Sequence, residues 1–399
     1  MSTLFATVEM APRDPILGIN EQFNADTRPG KVNLGVGVYT DENGKLPLLE
    51  CVRAAEAMLL ETARPRGYLP IDGSVAYDQA AQALVFGDDC SARREGRIAT
   101  VQAVGGTGGL KVGADLLQKM RPGATVLISD PSWENHRALF EGAGFTVATY
   151  PYYDAQKKDV DFAALRAGLT SAAPGSIVVL HACCHNPTGC DLTPAQWSEI
   201  VEIVGSRGLI PFLDMAYQGF GDGLFEDALA VRLFLDAGLD VLVATSFSKS
   251  FSLYGERVGA LSVVCASAEE AARVLSQLKR VIRANYSNPP THGAAAVAKV
   301  LTTPALRAQW EQELAGMRDR IKRMRVELQR RLVAAKARLD TDFIVRQRGM
   351  FSYSGLSVQQ MHRLRSEFAV YGVDSGRICV AALNERNLPT VVDAIVAVS

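Results

Sequence analysis

Val241-Leu242-Val243-Ala244-Thr245-Ser246-Phe247-Ser248-Lys249 runs from an apolar strand straight into a lysine, with Arg257 a short way on. An ammonium beside a buried strand is costly to desolvate. Desolvation lowers a lysine pKa, which suits an amine that forms Schiff bases. Ser246 and Arg257 could bind a phosphate, one through a hydroxyl and the other through a bidentate fork. On this segment alone, an ordinary surface loop after a strand fits as well.

Working outward, the same arrangement recurs. Ile98-Ala99-Thr100-Val101-Gln102 precedes Gly105-Gly106-Thr107-Gly108-Gly109, and Thr125-Val126-Leu127-Ile128 precedes Ser129-Asp130-Pro131. Ile177-Val178-Val179-Leu180 leads to His181, and Leu209-Ile210-Pro211-Phe212-Leu213 leads to Asp214. Val258 to Cys265 is a further apolar run. Near-continuous apolar runs read as strands covered on both faces and alternating with helices, which predicts an open α/β sheet. Ligands of such sheets sit beyond the carboxyl ends of the strands. Those ends here carry Thr107, Asp214, Ser246 and Lys249.

Three further segments fall on that rim. Gly105 to Gly109 reads as a glycine-rich loop before a helix, where backbone N–H groups can meet an anion. It fails the dinucleotide pattern: Gly106 and Gly108 have the spacing, but position 111 is Lys. Asp214-Met215-Ala216-Tyr217 could pair a carboxylate with a protonated ring nitrogen, or Asp214 could simply cap a turn. His181-Ala182-Cys183-Cys184-His185-Asn186-Pro187-Thr188-Gly189-Cys190 is dense in metal-ligand types but has no Cys-x-x-Cys pair, so no metal is expected. Asn186-Pro187-Thr188-Gly189 is instead a turn that can present an amide.

The last quarter changes character. Leu314, Met317, Ile321, Met324, Leu328 and Leu332 form one apolar stripe of a long helix, with Arg and Glu expected on its other faces. A second, smaller domain is therefore expected from about residue 312, which fits a length of 399 residues. Hydrophobic content of 48% and charged content of 21% are those of a globular enzyme, and a net charge of -1 gives no general pull toward nucleic acid or anionic membrane. The segment from Met1 to Glu9 lacks the pattern of a secretory signal, and no membrane-spanning run is seen. Seven cysteines fit reduced thiols in a cytosolic setting.

Asn186-Pro187-Thr188-Gly189, Asp214-x-x-Tyr217 and Ser246-x-x-Lys249 with Arg257 stand in the order that resembles fold-type I pyridoxal-phosphate aminotransferases. Asn33-Leu34-Gly35-Val36-Gly37-Val38-Tyr39, Tyr68-Leu69-Pro70-Ile71-Asp72-Gly73 and Asn285-Tyr286-Ser287-Asn288-Pro289-Pro290 narrow the resemblance to the aspartate/aromatic-amino-acid subgroup. Trp133-Glu134-Asn135-His136, Ala216 to Gly221 and Gln347 to Tyr353 lean toward its bacterial aromatic members. The resemblance spans essentially the whole chain.

It implies a large cofactor domain over 46–311 with a mostly parallel seven-stranded sheet flanked by helices. A smaller α+β domain over 312–399 would be joined by an N-terminal arm over 1–45. It implies pyridoxal 5'-phosphate held by Lys249 as a Schiff base, with the freed amine then moving the proton. Asp214 would hold the ring nitrogen, Tyr217 and Asn186 the phenolic oxygen, and Trp133 the ring face. His136 would back Asp214, with His181 a candidate for the same layer. Gly106, Thr107, Ser246 and Arg257 would bind the phosphate, joined by Tyr68 from the partner subunit of a homodimer. Gly105 stands where the aspartate type has a serine, so one hydroxyl contact is in question. Gly37, Trp133, Asn186 and Arg377 would bind the substrate, Arg377 clamping its α-carboxylate. Arg283 from the partner subunit would reach a distal carboxylate.

The function so implied is ping-pong transamination between an aromatic or dicarboxylic L-amino acid (Tyr, Phe, Asp, Glu) and a 2-oxo acid such as 2-oxoglutarate. A strict aspartate aminotransferase and a β-lyase or decarboxylase on the same fold are the rivals within the cofactor class. A nicotinamide oxidoreductase needs the dinucleotide pattern that Lys111 breaks. A non-catalytic relative would be expected to lack Lys249 or Asp214, and both are present.

Overall fold

Each apolar run becomes a strand in the computed structural model, which describes residues 3–14, 16–62 and 65–399. Met1, Ser2 and Pro15 of the expected N-terminal arm lie outside the described residues. The strands are β1 (Ile98–Val104), β2 (Thr125–Asp130), β3 (Thr146–Pro151), β4 (Ile177–His181), β5 (Ile210–Met215), β6 (Val241–Ser246) and β7 (Val258–Val264). They form one seven-stranded sheet in the order β1-β7-β6-β5-β4-β2-β3. Only β7 runs antiparallel to its neighbours. The mostly parallel sheet expected from the sequence is therefore present. β3 was not among the apolar runs, because at this edge only Tyr150 of its six residues is buried.

The runs are continuous because both faces are covered. Ile177 and Val179 pack with Leu110, Val112, Leu278 and Ile282, from helices α1 (Gly105–Met120) and α3 (Ala268–Asn285). Val178 and Leu180, pointing the other way, pack with Leu165, Ile200, Val204 and Phe234 from three other helices. Between α1 and α3, the short helix α2 (Glu134–Glu141) follows Trp133. Register places His181 beside Asp214 and Asp214 beside Ala244, so the polar chain ends fall in one row.

The long helix is α4 (Pro304–Ala334). All six residues of the apolar stripe are buried, each contributing roughly 1.5–3 kcal/mol by burial. The sequence put the arginines of this helix on other faces. Arg320 and Arg325 correct that: both are buried. They are tolerated there because each guanidinium meets main-chain carbonyls. Arg320 donates to Thr40 O at 2.7 Å and Leu383 O at 2.6 Å, and Arg325 to Gly349 O at 2.8 Å. The α4 stripe shares a core with Val32, Leu34 and the C-terminal residues Val391 and Ile395. Val32 and Asn33 also pair in parallel with Val370 and Tyr371, which ties the start of the chain to its end.

Candidate active site

The carboxyl ends of β4, β5 and β6 open on a cavity of about 320 Å³. Lys249, three residues past β6, lines it together with Asp214, Tyr217 and Ser246. The Lys249 Nζ sits 5.1 Å from the centre of the Tyr217 ring. Burial pushes its ammonium down to about 8, helped by Arg257 and Arg377 and opposed by Asp214. This amine can shed its proton near neutral pH, as a nucleophile or base must.

Asp214 is buried at the end of β5 and accepts from His136 Nε2 at 3.0 Å. His136 Nδ1 lies 2.9 Å from Ser132 Oγ, so the imidazole is held at both ends. Burial pushes the Asp214 carboxyl up, but the His136 hydrogen bond and the charges of His136 and Lys249 outweigh that and hold it below its ordinary value. The result is a fixed negative charge on the cavity floor. His181 lies next in this layer, its ring 5.0 Å from that of His136 and 4.3 Å from that of His185. Neither of its ring nitrogens has a hydrogen-bond partner among the described residues.

Burial holds His181 neutral, down to about 3. Its folded value lies below the unfolded one, so the unfolded state binds more protons between about 3 and 6.5, and stability falls as pH drops through that window. His181→Leu should remove roughly one proton from this dependence. Urea midpoints at pH 7 and pH 5 measure it. An unchanged pH slope in the variant would exclude His181 as a source of acid lability.

On the opposite side, α1 aims its N-terminus into the cavity, with Gly106 and Thr107 at the lining. The glycine segment was expected as a loop before a helix, but the helix starts at Gly105 itself. Gly105 has φ +68°, and a Cβ there would fall 2.4 Å from Arg257 Nη2. A side chain at 105 would therefore need the Arg257 guanidinium to shift, and the positive φ there itself favours glycine. Arg257 is itself left-handed at φ 56° and is fixed by donating to Tyr254 O at 2.9 Å. With Ser246 beside it, this is an anion site built from a helix N-terminus, a hydroxyl and a guanidinium.

Arg377 enters from the far end of the sequence and is almost wholly buried. Its Nη1 donates to Asn186 Oδ1 at 3.0 Å and its Nη2 to Gly35 O at 2.8 Å. Its guanidinium also lies 4.4 Å from the centre of the Phe351 ring, while its buried Nε has no partner among the described residues. Phe351 packs so closely on Gly37 that a Cβ there would come within 2.7 Å of Cζ. Glycine at 37 is what lets the ring sit under the guanidinium. Asp191 holds the Asn186 turn by accepting from the N–H groups of Cys184 at 2.7 Å and His185 at 2.8 Å. Trp133, at the start of α2, completes a cavity wall.

Two of the expected residues stand apart. Tyr68 is 93% exposed, and Arg283, exposed in the last turn of α3, donates to Ser287 Oγ. Neither lines the cavity of this chain. Sequence reasoning missed Tyr254, whose hydroxyl accepts from Tyr39 N at 3.0 Å, and the apolar lining from Ile16, Leu17 and Phe351. Phe351 stood inside a quoted motif, yet nothing in that motif marks a ring that touches Arg377. Among the described residues, His136, His181 and Asp214 also lie close enough to share an ion, as do Cys183, Cys184 and Asp227. No metal was expected at either place.

Comparison with known proteins agrees with this geometry. The family model for aminotransferase class I and II matches residues 29–395. An aspartate aminotransferase of Pseudomonas aeruginosa is 61% identical over 396 residues, covering 99% of this chain and all of that protein. An aromatic-amino-acid aminotransferase of Escherichia coli is 52% identical over 398 residues, with 99% of this chain and all of that one covered. The crystal structure of an aromatic-amino-acid aminotransferase from Burkholderia pseudomallei, covalently bound to pyridoxal phosphate, superposes with TM-score 0.97. It is 64% identical, with both chains covered in full.

Proposed function

The chain belongs to the aminotransferase class I and II family, and on that premise we propose which residues of its cavity perform each part of the reaction. It is a pyridoxal-phosphate-dependent aminotransferase of the aspartate and aromatic-amino-acid subgroup. It moves an amino group between an aromatic or dicarboxylic L-amino acid and a 2-oxo acid. The observation that carries the residue assignments is the convergence on one cavity of a buried amine at Lys249, a buried carboxylate at Asp214 and a buried guanidinium at Arg377.

The donor set fits the cofactor. Arg257, Ser246, Gly106, Thr107 and the α1 N-terminus offer donors to a phosphate, Asp214 offers a negative charge to a protonated ring nitrogen, and Tyr217 and Asn186 offer donors to a phenolic oxygen. Bound there, the cofactor supplies an electron sink for the charge that develops at the substrate α-carbon. Lys249 Nζ would hold the cofactor, and its free amine would take the proton from the α-carbon as general base. His136 keeps Asp214 ionised and oriented. Arg377 takes the α-carboxylate on its fork, using N–H groups that its bonds to Asn186 and Gly35 leave over. Trp133 and Phe351 close the walls and exclude water.

Substrate range follows from the mouth of the cavity. Ile16, Leu17, Val36, Val38 and Phe351 give it apolar walls, which suit an aromatic side chain. A distal carboxylate needs a cation beyond those that the described residues place at this mouth. In our reading Arg283 of the partner subunit provides it, and Tyr68 reaches the neighbouring phosphate site, so the working unit is a homodimer. The exposure of both residues supports this. We also take 46–311 as the cofactor domain, and 312–399 with the arm over 1–45 as the smaller one, in line with the core that α4 shares with Val32 and Leu34. Among the described residues no helix is long and apolar enough to cross a membrane. All seven cysteines are free, which supports a cytosolic, reducing setting.

An amino-donor panel with 2-oxoglutarate tests the range. Phenylalanine and tyrosine should give kcat/KM within roughly tenfold of aspartate, the discrimination an apolar pocket can sustain. Strong aspartate preference with negligible aromatic turnover would overturn the dual range and favour a strict aspartate enzyme.

A further inference from the structure

A second cavity, of about 540 Å³, lies between α4 and the segment that leads into Phe351. Its floor is apolar, from the buried Phe220 and Ile321. Its lining carries four cations, the buried Arg325 and the exposed Lys322, Arg346 and Arg348, against one carboxylate, Asp222. Asp222 is already shared between Lys322 Nζ at 3.1 Å and the guanidinium of Arg348. Arg325 and Arg346 make no ion pair among the described residues.

Arg325 is the unusual member of this group. It is buried, and its hydrogen bonds among the described residues leave from Nη1 and Nη2 to the carbonyls of Ile344, Arg348, Gly349 and Phe351. Carbonyl dipoles solvate a guanidinium without neutralising it. A buried cation with no carboxylate in ion-pair contact is costly, and burial pushes this one down to about 10, opposed by the charge of Asp191 among others. The open cavity beside it is where a counter-ion can go.

We propose that this cavity is a binding site for a small organic polycarboxylate, separate from the catalytic cavity. The volume lies in the range of small-molecule sites. The apolar floor suits a carbon skeleton rather than an inorganic ion. More than one carboxylate is needed to meet Arg325 and the rim cations together, and arginine forks favour that geometry. The site is linked to catalysis through the main chain. Arg325 holds the carbonyls of Gly349 and Phe351, and the Phe351 ring lies beneath Arg377. Arg348 N donates to Gly189 O at 2.6 Å, in the turn that carries Asn186. An occupant that draws on Arg325 therefore acts on the α-carboxylate clamp, and should shift KM for amino donors more than kcat.

Calorimetric titration of citrate into the holoenzyme tests the site. Saturating 3-phenylpropionate, an aromatic monocarboxylate, fills the substrate cavity during the titration. The expected result is one citrate per chain with the substrate cavity filled, and at least about tenfold weaker binding in a Lys322→Gln/Arg346→Gln double variant. Both side chains are exposed and lie outside the catalytic cavity, so basal turnover should be unchanged. Three results would overturn the proposal: no citrate heat in the wild type, heat that vanishes when 3-phenylpropionate is present, or equal affinity in the double variant, which means an adventitious ion only. None of these readouts depends on the assignment of Lys249 or Asp214.

Discussion

Lys249→Ala should fold normally and turn over amino acids on the order of 10^4-fold more slowly than the wild type, or worse. Two functions are lost with one amine. On the proposed roles, the cofactor would lose its covalent anchor and the α-carbon its general base. Nothing else near the site replaces that base. Burial holds His181 neutral with its ring nitrogens inside the cavity wall, and the Tyr217 hydroxyl is pushed well up by burial. Folding should be spared, because a methyl group in place of a buried ammonium removes a desolvation cost. Steady-state kcat for phenylalanine and aspartate measures the loss, and the visible absorbance of the bound cofactor should shift. Wild-type turnover in the variant would sink the whole assignment. The wild-type amine, at about 8, also predicts that cofactor attachment to the stripped protein speeds up from pH 7 to pH 8 and levels off above that.

Arg377→Ala should lower kcat/KM by roughly 10^2- to 10^4-fold, which corresponds to the 3–5 kcal/mol typical of breaking a buried charge pair. The loss should be similar for every amino donor, since all carry the α-carboxylate. Arg377→Lys keeps the charge but not the fork and should recover part of it. The alanine variant also leaves Asn186 Oδ1 and Gly35 O without their donor, so circular dichroism and a thermal midpoint should accompany the kinetics. A loss confined to dicarboxylic donors would place Arg377 at the distal end of the pocket and refute its role as the α-carboxylate clamp.

What the sequence disclosed was what is local. A lysine three residues past an apolar strand, an aspartate at the end of the next strand and an Asn-Pro-Thr-Gly turn are fixed by chain distance to strand ends, and strand ends show in hydrophobic pattern. Asp214, Ser246, Lys249 and Asn186 line one cavity for that reason. Arg257 was expected at the cavity from its motif, but the approach of its guanidinium to Gly105 was not, because that contact joins two different strands' ends. β3 was missed because an edge strand need not be apolar. Arg325 was placed on an outward face because helical periodicity counts charge as solvent-facing. It cannot register four carbonyls waiting inside. Phe351 was invisible as a cavity wall since a phenylalanine in a strand is by default a core residue.

The hydrogen bond from Arg377 to the Gly35 carbonyl spans 342 positions of chain. A ribosome makes residue 35 long before residue 377. The sheet, Lys249, Asp214 and the anion cradle can all be made and shaped while the chain is still attached. The contact between Arg377 and Gly35 cannot form until residue 377 has been made. A chain synthesised only as far as the sheet therefore lacks this contact. Closing so distant a contact is also slow, which makes it a late event in folding.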